Sequence, residues 1–171
     1  MSNPNIFEQA LSDWMKGNGR ESDVVISTRI RLARNVRNQP FPMLATNQQS
    51  KEVLDQVLQV LGSKELKAVS GFQLLLLDQL SDLQKRVLVE KHLISPNLAN
   101  ESRNGAVMIS DNESVSIMVN EEDHLRIQCL RPGFQIREAW ELANQIDDIF
   151  ESYIDYAFEE RHGFLTSCPT N

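Results

Sequence analysis

The sequence predicts an α+β domain with a largely antiparallel sheet flanked by helices. Apolar residues recur with a period of two in some segments and with helical spacing in others. Segments 105–110 and 114–120 are separated only by the turn Asp-Asn-Glu, which predicts a β-hairpin. Strands joined this closely pair antiparallel, and their mixture with helices is typical of the α+β class.

Before residue 100 the pattern predicts helix, strand, helix, strand and helix. In that order the segments are 5–15, 24–33, 46–61, 71–77 and 81–94. Thr46 and Gln49 have the spacing of a capping box, which favours a helix beginning there. The strand at 71–77 is apolar enough to be buried, and the last helix is expected to stop near Pro96.

After the hairpin, residues 124–130 predict another strand, which Arg131-Pro132-Gly133 should break. Residues 136–157 then carry an apolar stripe at helical spacing for six turns, so one long helix is expected, ending by Gly163. We assign this stripe, Trp140 included, to the core rather than to a partner groove.

Length and composition limit the class of protein. A chain of 171 residues with 41% hydrophobic residues suits one globular domain or part of a larger one. The net charge of −7 argues against general nucleic-acid binding. Two cysteines are too few for a disulfide framework, and neither a secretory signal nor a membrane-spanning run is visible. A cytoplasmic location is therefore expected.

The strand at 24–33 carries a candidate anion site. Its period places Ser27, Arg29 and Arg31 on one face, opposite the side chains of Ile26, Thr28, Ile30 and Leu32. The two arginines would lie about 6.6 Å apart, a spacing that suits neighbouring phosphoryl oxygens. The alternative is a solvated sheet face that happens to carry arginines. Arg34 and Arg37 are interpreted as surface residues.

A second candidate site is the charged stretch VNEEDHLRI at 119–127. If the chain is extended from residue 122, Glu122, His124 and Arg126 share one face, where a carboxylate could hold a cationic substrate beside an anionic one. The alternative is an acidic turn over 120–123 with Arg126 in a surface ion pair. The chain has neither a P-loop motif nor the protein-kinase motifs, so any polyphosphate would depend on arginines.

Three motifs in this order resemble the phosphagen (guanidino) kinase family: STRIRLARN at 27–35, VNEEDHLRI at 119–127 and GFLTSCPTN at 163–171. The resemblance runs from Asp23 to the last residue, which gives a short N-terminal helical segment (1–22) and the first part of the catalytic domain (23–171). Creatine and arginine kinases carry a helical domain before the basic strand. The short segment here, and LVEKHLISPNLA at 88–99, are similar to the bacterial protein-arginine kinases.

The resemblance implies transfer of the γ-phosphoryl group from ATP, with Mg²⁺, to arginine side chains in proteins. Glu122 matches the carboxylate that aligns and deprotonates the guanidinium, and Cys168 matches the reactive cysteine beside it. Glu121 and Asp123 are expected to shape the turn. The residues that match the nucleotide site are Ser27, Thr28, Arg29, Ile30, Arg31, His92 and Arg126. No dedicated protein metal site is expected. His92 could instead lie on a helix surface, and Cys168 could be an ordinary buried thiol.

The resemblance also implies that the chain is the N-terminal part of a longer kinase, whose second half supplies further phosphate-binding arginines. For the protein-arginine kinases it implies a role in bacterial stress response. The partners would be protein substrates such as a stress-gene repressor, a zinc-binding activator protein and a Clp-type protease. A small-molecule guanidino kinase and a non-catalytic adaptor that keeps half the site are the alternatives.

Overall fold

The computed structural model describes residues 6–169, and a five-stranded antiparallel sheet forms their centre. The strands are Ser27–Arg34 (β1), Phe72–Leu76 (β2), Ala106–Ser110 (β3), Val115–Val119 (β4) and Leu125–Pro132 (β5). They lie in the order β1-β5-β4-β3-β2, and each neighbouring pair is antiparallel. The predicted fold class and the β3–β4 hairpin are confirmed.

Helices cover both faces of this sheet. They are Asn47–Leu61 (α1), Lys64–Val69 (α2), Asp82–Glu90 (α3), Pro96–Glu101 (α4) and Ile136–Glu151 (α5). Helices α1, α2 and α5 pack on one face, where the main core includes Val57, Leu66, Ile127 and Phe150. A second core on the other face joins α3 and α4 to the sheet through Leu88, Leu98, Val107 and Met118.

Short sequence signals explain where the helices begin. The Thr46 hydroxyl accepts a hydrogen bond from the Gln49 backbone N–H, and the Gln49 side chain accepts one from Thr46 N, so the predicted capping box is confirmed. Helix α3 begins with the same device at Ser81 and Gln84. Pro96 occupies the first turn of α4, where its missing N–H costs nothing.

The helix predicted over 5–15 is wrong in its described part, where only Asp13–Met15 forms one 3₁₀ turn; Asn5 lies outside the described residues. Tertiary contacts hold this segment in another shape. Ile6 is buried in the second core, and its carbonyl accepts a hydrogen bond of 2.8 Å from Lys91 Nζ. The Ser12 hydroxyl donates to Glu113 on the β3–β4 turn. These anchors outweigh helical propensity.

Two predicted helices end early. Helix α3 stops at Glu90 because the chain turns at His92, whose φ is +56°. Helix α5 stops at Glu151 instead of 157, since Ala157 N donates to Asn35 O and pairs this segment with the chain after β1. Ile136 and Trp140 are each 51% exposed, so their assignment to the core is wrong.

Beyond α5, Phe158–Glu159 (β6) and Gly163–Phe164 (β7) form a small antiparallel ribbon that leads to Cys168. Among residues 6–169, none of the helices is both long and apolar enough to cross a membrane.

Candidate active site

Pairing of β1 with β5 brings three arginines to one face of the sheet. Arg29 lies opposite Leu130, Arg31 opposite Gln128, and Ala33 opposite Arg126. Directly opposed residues of an antiparallel pair project to the same side, so Arg29, Arg31 and Arg126 share a face. We call these three residues the arginine face. Ser27 shares its side, whereas Thr28 and Ile30 project to the other, as the strand period predicts.

The arginine face concentrates positive charge. Within residues 6–169, neither Arg29 nor Arg31 has a carboxylate within 4 Å. The pKa of Arg31 is lowered, first by partial desolvation and then by the charges of Arg29 and Arg126, while Glu121 acts in the opposite direction. Crowded guanidinium groups of this kind favour an anionic ligand, and phosphate suits their geometry.

Thr28 and Ile30 have structural contacts on the opposite face. The Thr28 hydroxyl donates to Gly133 O and accepts from Gln135 N, which fixes the start of α5 against the strand. Ile30 packs against the main core. Any contact of these two residues with a nucleotide would therefore come from the backbone, as the sequence prediction allowed.

Arg126 links the arginine face to the acidic turn. Its guanidinium lies 3.0 Å from Glu121 Oε2, 2.8 Å from Glu122 Oε2 and 3.6 Å from Asp123 Oδ2. The Arg126 side chain is only 11% exposed, so the alternative of a surface ion pair does not describe it. Glu122 is 38% exposed, whereas Glu121 and Asp123 are buried. Glu122 is thus the carboxylate of this turn that a ligand can reach.

The expectation that His124 shares a face with Glu122 and Arg126 is wrong. The chain is turned, not extended, before Leu125, and His124 is fully buried. Its Nδ1 accepts from Val36 N at 3.0 Å, and Nε2 donates to Pro40 O at 3.0 Å. One accepted and one donated hydrogen bond fit the neutral imidazole. Burial also lowers the pKa of His124, which favours the same neutral form. The residue therefore supports the turn.

The loop that carries Cys168 docks onto the same turn. Ser167 N donates to Asp123 Oδ1 at 2.7 Å, and the Ser167 hydroxyl donates to Glu122 O at 2.6 Å. The structure thereby brings Cys168, half-buried, to the neighbourhood of Glu122. Thr170 and Asn171, the end of the third motif, lie outside the described residues. Cys129, in contrast, is buried in the main core, where desolvation raises its pKa to about 12.

Asn35 is a supporting residue that the sequence analysis missed. Its Nδ2 donates to Asp123 Oδ1 at 2.7 Å and to Leu165 O at 3.0 Å, and its Oδ1 accepts from His124 N at 2.9 Å. One amide thus joins the end of β1, the acidic turn and the Cys168 loop. No local pattern signals this, because the three segments are far apart in sequence.

The interpretation of Arg34 as a surface residue is wrong. Its side chain is 12% exposed and lies 2.5 Å from Asp147 Oδ2 on α5. Its guanidinium carbon is 3.7 Å from the centre of the Phe164 ring, at the start of the Cys168 loop. The strand period contained the signal, since Arg34 falls on the face of Ile30 and Leu32. Arg37 is exposed beside Asp155, as predicted.

His92 lies at the border of the arginine face. Its carbonyl accepts from Gln128 Nε2 at 2.7 Å, and Gln128 is directly opposite Arg31 on the sheet. His92 lies just beyond the end of α3, so the alternative prediction, a histidine on a helix surface, is wrong. Its ring centre is 5.8 Å from that of Trp14, which places the N-terminal segment beside the same face.

Comparison with known proteins gives a family match. The model of the ATP:guanido phosphotransferase C-terminal catalytic domain matches residues 49–171. A protein-arginine kinase of Brevibacillus brevis is 57% identical over all 171 residues, which are 48% of that protein. The protein-arginine kinase of Bacillus subtilis is 51% identical over the same residues, 47% of its length. The chain therefore spans about half the length of these relatives.

Solved structures support the fold. A lombricine kinase superimposes with a TM-score of 0.73 at 22% identity, over 95% of this chain and 50% of the other. The substrate-free duplicated taurocyamine kinase of Schistosoma mansoni gives a TM-score of 0.75 at 22% identity, over 98% of this chain and 24% of the other. At this level of identity the likeness concerns architecture alone.

Proposed function

Because the chain belongs to the ATP:guanido phosphotransferase family, we propose that its protein transfers the γ-phosphoryl group of ATP to arginine side chains of other proteins. The single observation that carries this proposal is the position of Arg126. It lies on the arginine face and pairs with Glu122, so an anion site and an accessible carboxylate are immediate neighbours.

The arginine face is the proposed donor site. Three guanidinium groups on two paired strands can bind the phosphates of ATP and neutralise the charge that spreads over the transferred group. Among residues 6–169, no group of three or more His, Cys, Asp or Glu side chains is placed to hold a metal. Mg²⁺ prefers substrate phosphates and water as ligands, so the phosphate oxygens of ATP would hold it, and it would supply further charge neutralisation.

Glu122 is the proposed acceptor-site residue. A guanidinium is a poor nucleophile while protonated, because its pKa lies above about 12. A carboxylate paired with the substrate guanidinium can orient one nitrogen and accept its proton as the N–P bond forms. Glu122 would exchange its contact with Arg126 for one with the substrate, while Arg126 keeps Glu121 and Asp123 as partners.

Relatives 48% to 57% identical are named protein-arginine kinases, which favours a protein acceptor over a small guanidino compound. The stress-gene repressor substrate, the zinc-binding activator and the Clp-type protease remain part of the proposal, on the strength of the family resemblance alone.

The test uses the protein expressed from its complete gene, Mg-ATP labelled at the γ-position and an arginine-rich protein acceptor. We expect acid-labile phosphate on arginine, located by mass spectrometry, and little transfer to free arginine. Glu122→Gln should abolish transfer, because the amide can neither pair ionically with the guanidinium nor accept its proton. Glu151→Gln, which removes an exposed carboxylate from the end of α5, is the matched control.

Two other results would each contradict the proposal. Efficient transfer to free arginine or creatine would identify a small-molecule kinase. Absence of any transfer, with protein partners still bound, would favour the adaptor.

A further inference from the structure

His92 occupies a backbone position that favours glycine. Helix α3 ends in a Schellman motif, in which His92 N donates to Val89 O at 2.9 Å. The second bond of this motif, also of 2.9 Å, joins Leu93 N to Leu88 O. Between them His92 has a φ of +56°, where glycine is the usual residue because a side chain is strained. Backbone strain of this kind clusters at ligand sites, so an exposed imidazole at this position points to a ligand.

A tryptophan from the N-terminal segment supports this imidazole. The 3₁₀ turn at Asp13–Met15 contacts β5, and Trp14 within it is only 8% exposed. The centres of the Trp14 and His92 rings are 5.8 Å apart, with their planes tilted by 59°, an arrangement in which aromatic rings attract. His92 itself is exposed, so the part of its ring that Trp14 does not cover is open to a ligand.

A buried ion pair fixes the N-terminal segment in this position. Lys91 Nζ lies 2.8 Å from Glu113 Oε1 and donates to Ile6 O at 2.8 Å. The other oxygen of the Glu113 carboxylate accepts from the Ser12 hydroxyl. All four residues are buried. Lys91 precedes His92 in the chain, so these contacts tie the N-terminal segment to the turn that carries the imidazole.

Gln128 fixes the same turn from the sheet. Its side chain is buried and donates from Nε2 to His92 O at 2.7 Å, and the residue lies directly opposite Arg31. The imidazole is therefore within reach of a nucleotide whose phosphates lie on the arginine face. Because the guanidinium groups take the phosphates, the part of ATP that suits an exposed aromatic ring is its base, which can stack on it.

We propose, building on the function proposed above, that Trp14 is a positioning residue for the nucleotide. It holds the His92 ring in the orientation in which that ring meets the base of ATP, while the arginine face binds the phosphates. Trp14 itself stays buried and acts only through His92. The N-terminal segment is thus part of the nucleotide site.

A double-variant cycle tests this coupling in the protein expressed from its complete gene, with calorimetry of Mg-ATP binding. Trp14→Leu should weaken binding about three- to tenfold, the effect of one aromatic pair, whereas Trp14→Phe, which keeps a ring, should retain most of the affinity. His92→Gly should also weaken binding, and glycine suits the positive φ, so the turn survives the change. In the His92→Gly background, Trp14→Leu should cause no further loss, because its effect requires the imidazole.

Mg-tripolyphosphate separates the base from the phosphates. It has no base, so the wild type and Trp14→Leu should bind it equally. Ser12→Ala loosens the N-terminal segment without changing either ring, and it should weaken Mg-ATP binding by a smaller factor while leaving Mg-tripolyphosphate binding intact. This milder variant supplies the test if Trp14→Leu does not fold. Trp140→Leu, which removes an exposed tryptophan from α5, is the matched control and should bind Mg-ATP like the wild type.

Transfer assays give an independent measurement. Trp14→Leu should raise KM for Mg-ATP and leave KM for the protein acceptor unchanged. Wild-type Mg-ATP affinity in Trp14→Leu, a loss that adds to that of His92→Gly, or an equal loss for Mg-tripolyphosphate would each overturn this inference. The proposed function would stay intact, because these binding measurements do not depend on transfer. Absence of transfer to arginine, with the expected pattern of nucleotide binding, would count against the proposed function alone.

Discussion

Three neighbouring carboxylates contact Arg126, and their surroundings give them different roles. Asp123 accepts from Asn35 and from Ser167 N, and Glu121 accepts from Ser95 at the start of α4. Both carboxylates are buried, and their hydrogen bonds connect the acidic turn to neighbouring segments. Glu122 is partly exposed and lines a surface cavity beside α4, so it can change partners without loosening the turn.

Arg29 provides the direct test of the donor site. Arg29→Ala should weaken Mg-ATP binding by about 10- to 100-fold, because hydrogen bonds to charged groups contribute about 1.5–3 kcal/mol each. Glu122→Ala should leave nucleotide affinity nearly intact and remove phosphoryl transfer. Isothermal titration calorimetry of the protein expressed from its complete gene would measure both affinities.

The matched control for Arg29 is Arg37→Ala, since Arg37 is exposed and paired with Asp155 away from this face. It should bind Mg-ATP like the wild type. If Arg29→Ala also kept wild-type affinity, the arginine face would not be the phosphate site.

His124 makes folding stability depend on pH. Its pKa is lowered by burial in the folded protein. As the pH falls, the unfolded chain therefore takes up a proton near pH 6.5, and the folded protein does so only at a lower pH. Below that pH the free energy of unfolding should fall by up to about 1.4 kcal/mol per pH unit, until folded His124 is also protonated. Urea denaturation at pH 7.5 and 5.0 would measure this loss.

His124→Asn should be less stable at pH 7.5 but lose less stability on acidification, because no imidazole titrates there. His162→Asn serves as the control, since His162 is exposed at the β6–β7 turn. An unchanged pH dependence in His124→Asn would show that other groups dominate it.

At the scale of elements, the pairing of β1 with β5 assembles the site, and most of it follows from the sequence. The period of two places Arg29 and Arg31 on one face, and a hairpin followed by a further strand predicts antiparallel order. Pattern could not show which strands would be neighbours, because β1 and β5 are separated by almost a hundred residues. The family resemblance supplied that link.

Two misjudged elements have a common physical cause. The N-terminal segment and the last turns predicted for α5 have helical spacing, yet long-range contacts hold both in other shapes. Lys91 and Glu113 bind the first, and Asn35 binds the second through its backbone. Such contacts join residues far apart in sequence, so local periodicity cannot report them.

The N-terminal segment should respond to nucleotide because Trp14 packs against His92 at the edge of the arginine face. In the protein expressed from its complete gene, Trp14→Phe should reduce the change in fluorescence that follows addition of Mg-ATP, whereas Trp140→Phe, which removes an exposed tryptophan from α5, should leave that change intact. A change lost only in Trp140→Phe would place the nucleotide elsewhere.

At the scale of the whole molecule, Arg34 connects the sheet, a helix and the active-site loop. It projects from β1, pairs with Asp147 on α5 and stacks on Phe164 before the Cys168 loop. The core that holds the arginine face therefore also holds the loop beside Glu122. Loss of the Arg34 side chain should therefore destabilise both the sheet that carries the arginine face and the Cys168 loop.

Arg34→Leu should lower the free energy of unfolding by about 3–5 kcal/mol, because it leaves the buried Asp147 carboxylate without its cation. For a chain of this size that corresponds to a fall in Tm of about 6–20 °C. Arg37→Leu, which breaks an exposed pair with Asp155, should cost no more than about 1 kcal/mol. The double variant Arg34→Leu/Asp147→Leu should recover part of the loss, since no buried charge is then left unpaired. Thermal and urea denaturation would measure all four proteins, and equal Tm values for Arg34→Leu and Arg37→Leu would contradict the buried connection.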